Sequence, residues 1–164
     1  MSSRALVDCV TTFIENPRGW LTIWGPPGNG KTLALQVVVN EMVDRGFAAV
    51  YNTFTDLTDL MRATFDRQRA DGDTFLYRFQ RVQNVKVLTI DELDKVNQTG
   101  FVYEFRSKLV DHRYRDAVAG RTVTLFACNE DPARLPDWIA DRINDGRFVV
   151  FHNLGRSVRA VQSW

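Results

Sequence analysis

Trp20-Leu21-Thr22-Ile23-Trp24, a short apolar run, leads directly into Gly25-Pro26-Pro27-Gly28-Asn29-Gly30-Lys31-Thr32. The second stretch matches G-x-x-x-x-G-K-[S/T] at every fixed position, between a strand-like run and a helical stretch from Lys31 to Arg45. Glycines let the backbone curl so that several N–H groups converge on phosphate oxygens. The helix that follows adds its positive N-terminal end. Lys31 is spaced to reach β and γ phosphates, and the Thr32 hydroxyl to ligate Mg²⁺. A plain glycine–proline turn has no need of Lys-Thr after its last glycine. We therefore read Gly25 through Leu33 as a nucleotide-binding loop. No Asn-Lys-x-Asp guanine-reading element follows, which favours ATP over GTP.

Outward from this loop the chain alternates strands and helices. Leu6, Cys9, Val10, Phe13 and Ile14 recur at helical spacing, predicting a helix over 4–15. After the phosphate loop, Gly46 stands where a helix C-cap is wanted. Phe47 to Tyr51 reads as a second strand, and 56–69 as a helix with Leu57, Leu60, Met61, Thr64 and Phe65 on one face. A further helix is expected over 74–82, a third strand over Val85 to Ile90, and a helix over 99–118 carrying Phe101, Phe105 and Leu109. Thr122 to Cys128 is the fourth strand, Leu135 to Asn144 a short helix, and Phe148 to Phe151 the fifth strand; the tail from Ser157 reads as helical. Such alternation predicts one α/β domain with a mostly parallel sheet. Ligands then sit beyond the carboxyl ends of the strands, so chemistry is expected just after each strand.

Two later strand ends meet that expectation. The third closes on Ile90-Asp91-Glu92. An aspartate there suits Mg²⁺, held directly or through water, and a neighbouring glutamate suits polarising the attacking water. A solvated acidic loop gives the same letters; the phosphate loop upstream decides for hydrolysis. The fourth strand ends at Cys128-Asn129-Glu130-Asp131-Pro132, where the Asn129 amide is placed to meet the water or the γ-phosphate. An Asn/Asp/Pro turn accounts for the same residues.

Length and composition agree with an ordinary folded domain. The 164 residues are 45% hydrophobic, 25% charged and 12% aromatic, so disorder and low-complexity readings fail. With 21 basic against 20 acidic residues, a nucleic-acid footprint has to be local rather than global. Cys9 and Cys128 form no CxxC pair and suit a reducing, cytoplasmic setting. No stretch is apolar enough for a membrane span. His112 and His152 lack partners at zinc-ligand spacing, and Trp20, Trp24 and Trp138 read as packing residues.

Taken in order, GPPGNGKT, VLTIDEL, TLFACNEDP, LPDWIADRINDG and GRSVR resemble the AAA+ ATPase core of DnaC-type bacterial and phage helicase loaders, and of the related IstB-type transposition helper ATPases. The likeness runs from about Arg18 to Arg159. It implies a P-loop three-layer sandwich with a five-stranded sheet ordered 5-1-4-3-2. The chain is expected to be one domain, with an N-terminal helix over 1–17, a core over 18–159 and a tail over 160–164; the small helical lid of many AAA+ proteins has no room after Trp164 and is not expected. Residue by residue, Lys31 and Thr32 resemble the Walker A pair, Asp91 and Glu92 Walker B, and Asn129 sensor 1. Arg142 resembles the arginine finger that reaches a neighbouring subunit's ATP, and Arg159 the sensor 2 arginine. The resemblance also implies ATP-dependent self-assembly, single-stranded DNA contacts, and a replicative helicase or a transposase as client.

Some readings stay open at this level. Arg62, Arg67, Arg69, Arg78, Arg81 and Lys86, interleaved with Phe65, Phe75, Tyr77 and Phe79, suit a single strand. The same letters suit core aromatics beside solvated arginines. Arg147 and Arg156 read as solvated. A small nucleotide kinase is disfavoured, because a kinase must exclude water rather than activate it. A nucleotide-binding adaptor without hydrolysis is disfavoured by the intact Lys31, Asp91 and Glu92.

Overall fold

The computed structural model describes residues 2–68, 74–95 and 100–157. Three of the apolar runs are buried strands: β1 (Gly19–Trp24), β3 (Val87–Asp91) and β4 (Val123–Cys128). Burial on both faces is what a parallel sheet covered by helices demands of its central strands. The half-exposed runs, β2 (Ala49–Thr53) and β5 (Val149–His152), take the edges. The sheet order is β2-β3-β4-β1-β5 with every neighbouring pair parallel. This is the expected 5-1-4-3-2 order counted from the other edge.

Helices cover both faces. Leu6, Val10 and Phe13 of α1 (Ser2–Glu15) join Leu35, Val38 and Met42 of α2 (Lys31–Asp44) in a core against Leu21, Ile23, Leu125 and Ala127. On the other face lie α3 (Phe54–Gln68), α4 (Thr74–Asn84), α5 (Gly100–Val118) and α6 (Asp137–Ile143). Their Leu57, Met61, Phe79, Phe105, Leu109 and Ile139 pack on Trp20, Leu88, Ile90 and Phe126. The molecule is therefore a three-layer α/β/α sandwich. Arg113 of α5, only 1% exposed, ties the layers together. It donates to Thr124 Oγ1 at 2.9 Å and to the carbonyls of Gln83, Val85 and Val123. Burial lowers its guanidinium to about 10.

Four local expectations shift; among them the third strand begins at Val87 rather than Val85, whose N–H still closes α4 on Arg81 O. The second strand begins at Ala49 rather than Phe47, because the end of α2 consumes the preceding backbone. Gly46 (φ 84°) donates to Val43 O and Phe47 N to Met42 O, a Schellman closure. Leu60 leaves the predicted face of α3: the buried row is Phe54, Leu57, Thr58 and Met61, and Leu60 is 42% exposed. A 3₁₀ turn over Pro132–Arg134, capped by Asp131 Oδ1 on Ala133 N, delays the sixth helix to Asp137. The predicted helix beyond Ser157, Arg159 and Arg69 lie outside the described residues, as do the side chains of Phe65, Arg67 and Phe75.

Candidate nucleotide site

The order of the sheet brings the carboxyl ends of β1, β3 and β4 side by side, and all three post-strand motifs meet there. The phosphate loop is bent by residues only glycine tolerates. Gly25 sits at φ 143°, and a Cβ on it would stand 2.2 Å from the Asn153 carbonyl. Gly30, at φ 90°, caps α2. Lys31 is 7% exposed, and its ammonium donates to Gly25 O at 2.7 Å, Pro26 O at 2.8 Å and Asn29 Oδ1 at 3.1 Å. A cation is thus held inside the curl, at the positive end of a helix of 14 residues.

The loop has a support that local sequence does not reveal. Asn29 Nδ2 donates to Asn153 O at 2.8 Å, and Asn153 Nδ2 returns a bond to Asn29 O at 2.9 Å. Both side chains are buried, and Asn153 N also donates to Trp24 O. Asn153 follows β5, which lies beside β1, so the clasp is a product of strand order.

Asp91 closes β3 at the foot of α2. Its Oδ2 accepts from Thr32 Oγ1 at 2.7 Å and from Tyr51 Oη at 2.6 Å, and its Oδ1 accepts from Glu92 N at 2.8 Å. Burial, then the Asp91 carboxylate it faces, holds the Tyr51 phenol well above the ordinary tyrosine range. Among the described residues no group of three or more His, Cys, Asp or Glu side chains could hold a metal. The Thr32–Asp91 pair nevertheless fits Mg²⁺, which is commonly held by one or two carboxylates together with substrate phosphates. Glu92 is the one described non-glycine residue at positive φ (55°), a sparsely populated conformation that clusters at functional sites. Its Oε1 accepts from Lys95 Nζ at 2.5 Å.

Asn129 leaves β4 beside this pair. Asp94 Oδ2 accepts from Asn129 N at 3.0 Å and from Glu130 N at 3.3 Å, tying the acidic loop to the loop after β4. Leu93 N bonds to Ala127 O in the same seam. Burial, then the charge of Asp94, pushes the Cys128 thiol up to about 12, which keeps it unreactive. Pro27, Lys31, Thr32, Asp91, Glu92 and Asn129 all line one cleft of about 290 Å³.

Arg142 does not line that cleft. On α6 it pairs with Asp111 Oδ1 at 2.5 Å, donates to Trp138 O and lies 5.7 Å from the Tyr114 ring centre. Arg147 is exposed as expected but is paired with Asp145. On α4, Tyr77, Arg78 and Arg81 are exposed, with the Arg81 guanidinium 5.8 Å from the Tyr77 ring centre, whereas Phe79 is core. Lys86 is turned to Arg121 O.

A phosphate-loop motif after β1, an acidic pair on β3 and the order β2-β3-β4-β1-β5 define a P-loop domain of AAA+ type. Residues 21–150 match the model of the ATPase family associated with various cellular activities, and the chain belongs to that family. No curated protein matches it. Among solved structures, the DnaC helicase loader superposes with a TM-score of 0.73 at 20% identity, over 92% of this chain and 90% of that one. DnaI superposes at 0.70 and 18% identity, over 97% and 85%. The replication initiator DnaA, solved with AMPPCP and single-stranded DNA, gives 0.74 at 19% identity, over 93% of this chain. The chain spans 46% of that initiator's length. Among the described residues no helix is long and apolar enough to cross a membrane.

Proposed function

We propose that this chain is an ATP-binding and ATP-hydrolysing AAA+ switch protein that acts on DNA or a nucleoprotein partner, in the manner of a bacterial or phage helicase loader. The observation that carries the ATPase reading is the contact of Thr32 with Asp91 directly below the Lys31 loop. Family membership supports nucleotide binding, and the likeness to DnaC and DnaI supports the fold of a loader.

In this reading Gly25 to Leu33 wraps the phosphates, and Lys31 meets the β and γ oxygens. Thr32 and Asp91 would hold Mg²⁺, which would supply charge neutralisation on those phosphates. Glu92 accepts the proton of the attacking water, and Asn129 orients that water or the γ-phosphate. Lys95 Nζ occupies Glu92 Oε1, so it has to move away before that oxygen can take a proton. Arg142 serves a neighbour's ATP, and Arg159 is assigned to sensor 2 by resemblance. The chain's client in this reading is a replicative helicase or, in the transposition-helper variant, a transposase.

Glu92→Gln tests the hydrolytic half. It keeps size and hydrogen bonding and removes the base. ATP affinity by calorimetry should hold while turnover falls about 10²–10⁴-fold. Native turnover in Glu92→Gln would remove the acidic pair from the mechanism.

The segment from Arg62 to Arg81 is the surface we propose for single-stranded DNA; on its α4 part Tyr77, Arg78 and Arg81 are exposed. Replacing Arg78 and Arg81 together by alanine should weaken binding in fluorescence anisotropy. It should also flatten the log–log salt slope by about 0.7 for each phosphate that is no longer neutralised. An unchanged affinity and slope would place the DNA elsewhere.

A further inference from the structure

We infer that Tyr51 is a positioning residue for Asp91: its phenol fixes the carboxylate that meets the metal beside Thr32. This rests on the Mg²⁺–nucleotide reading above.

In the parallel β2–β3 pair, Thr53 lies opposite Asp91 and Tyr51 opposite Thr89. Tyr51 is therefore two residues short of the carboxylate it binds, a lag of about 6.6 Å along a strand. A serine, threonine or asparagine at 51 would not cover that distance; a tyrosine does, and its oxygen lands 2.6 Å from Asp91 Oδ2. The ring is itself fixed, half-buried against the core shared by α1, α2 and the sheet. The hydroxyl is thus delivered by a stiff, packed lever.

Asp91 needs such a support. It is 4% exposed, and its hydrogen bonds come from Thr32, Tyr51 and Glu92 N. Thr32 is itself an expected metal ligand. Glu92 sits in a strained turn whose side chain has to change partner. Tyr51 is the donor anchored in another strand, β2, outside the metal ligand and the turn at Glu92. Groups that orient a metal ligand from behind typically account for about 10–100-fold in metal affinity.

Tyr51→Phe keeps the ring and its packing and removes only the hydroxyl. The experiment titrates Mn²⁺ into the full chain with ADP present, read by electron paramagnetic resonance. ADP affinity in EDTA and thermal melting are measured alongside. The variant should bind Mn²⁺ about 10–100-fold more weakly than wild type, with ADP affinity in EDTA and the melting temperature unchanged. Equal Mn²⁺ affinity in Tyr51→Phe and wild type, where wild type binds tightly, would overturn the role of Tyr51 alone. A parallel loss of metal-free ADP binding and melting temperature would make Tyr51 a packing residue. If wild type itself binds no Mn²⁺ with ADP, the metal–nucleotide reading fails and this inference with it.

Discussion

Lys31→Ala is expected to lose ATP binding almost completely. The ammonium is buried in the loop and held by two carbonyls and the Asn29 amide oxygen, so the cation is already located where phosphates are to be received. Each hydrogen bond to a charged group contributes about 1.5–3 kcal/mol, so two bonds to the β and γ oxygens amount to roughly 10²–10⁴-fold in affinity. The alanine variant also leaves the carbonyls of Gly25 and Pro26 without that donor. The Asn29–Asn153 clasp does not pass through Lys31 and should keep the loop near its place. Calorimetry with ATP, together with a melting curve to confirm the fold, measures the effect. Native ATP affinity in Lys31→Ala would remove the phosphate-loop assignment.

Much of this site is legible in the sequence because its signals are local. The phosphate loop requires glycines and Lys-Thr at fixed offsets, and a strand followed by Asp91-Glu92 places the acidic pair without knowledge of the sheet. The strand order follows from resemblance, and the structure has that order. What is not legible depends on partners distant in sequence. Asn153 reaches Asn29 across 124 positions. It gives no signal of its own, because an asparagine after a strand usually marks a turn. Tyr51 reads as a strand aromatic until the β2–β3 register places it behind Asp91. The start of β2 is obscured because Phe47 looks like a strand residue, whereas its N–H closes the helix before it. Arg113 and Arg106 carry charge in the sequence and are buried in the structure, where carbonyls of neighbouring elements accept hydrogen bonds from their guanidinium groups. Periodicity places Leu57 and Met61 correctly but draws the apolar stripe of α3 too wide, taking in the exposed Leu60.

Arg142→Ala separates binding from turnover in the other direction. Arg142 is absent from the lining of its own chain's cleft and is held on α6 by Asp111, by Trp138 O and over Tyr114. The variant should therefore bind ATP with native affinity as a monomer. If Arg142 completes a neighbour's site, hydrolysis by the assembled variant should fall about 10³–10⁵-fold. A purely structural arginine, tying α6 to α5, predicts something else. Arg142→Lys would then keep the charge pair with Asp111 and restore the rate, whereas a finger needs the planar fork that lysine lacks. Mixing decides between a role in trans and one in cis. Lys31→Ala subunits carry an intact Arg142 but no nucleotide, and Arg142→Ala subunits carry nucleotide but no finger. Provided the Lys31→Ala chain enters the assembly, some interfaces in the mixture pair ATP on one subunit with the finger of the next. ATPase activity should then reappear in a mixture of two inactive proteins, in proportion to the mixed interfaces. Loss of ATP binding by isolated Arg142→Ala would place the residue in cis or in the fold, and the trans-acting role would be abandoned.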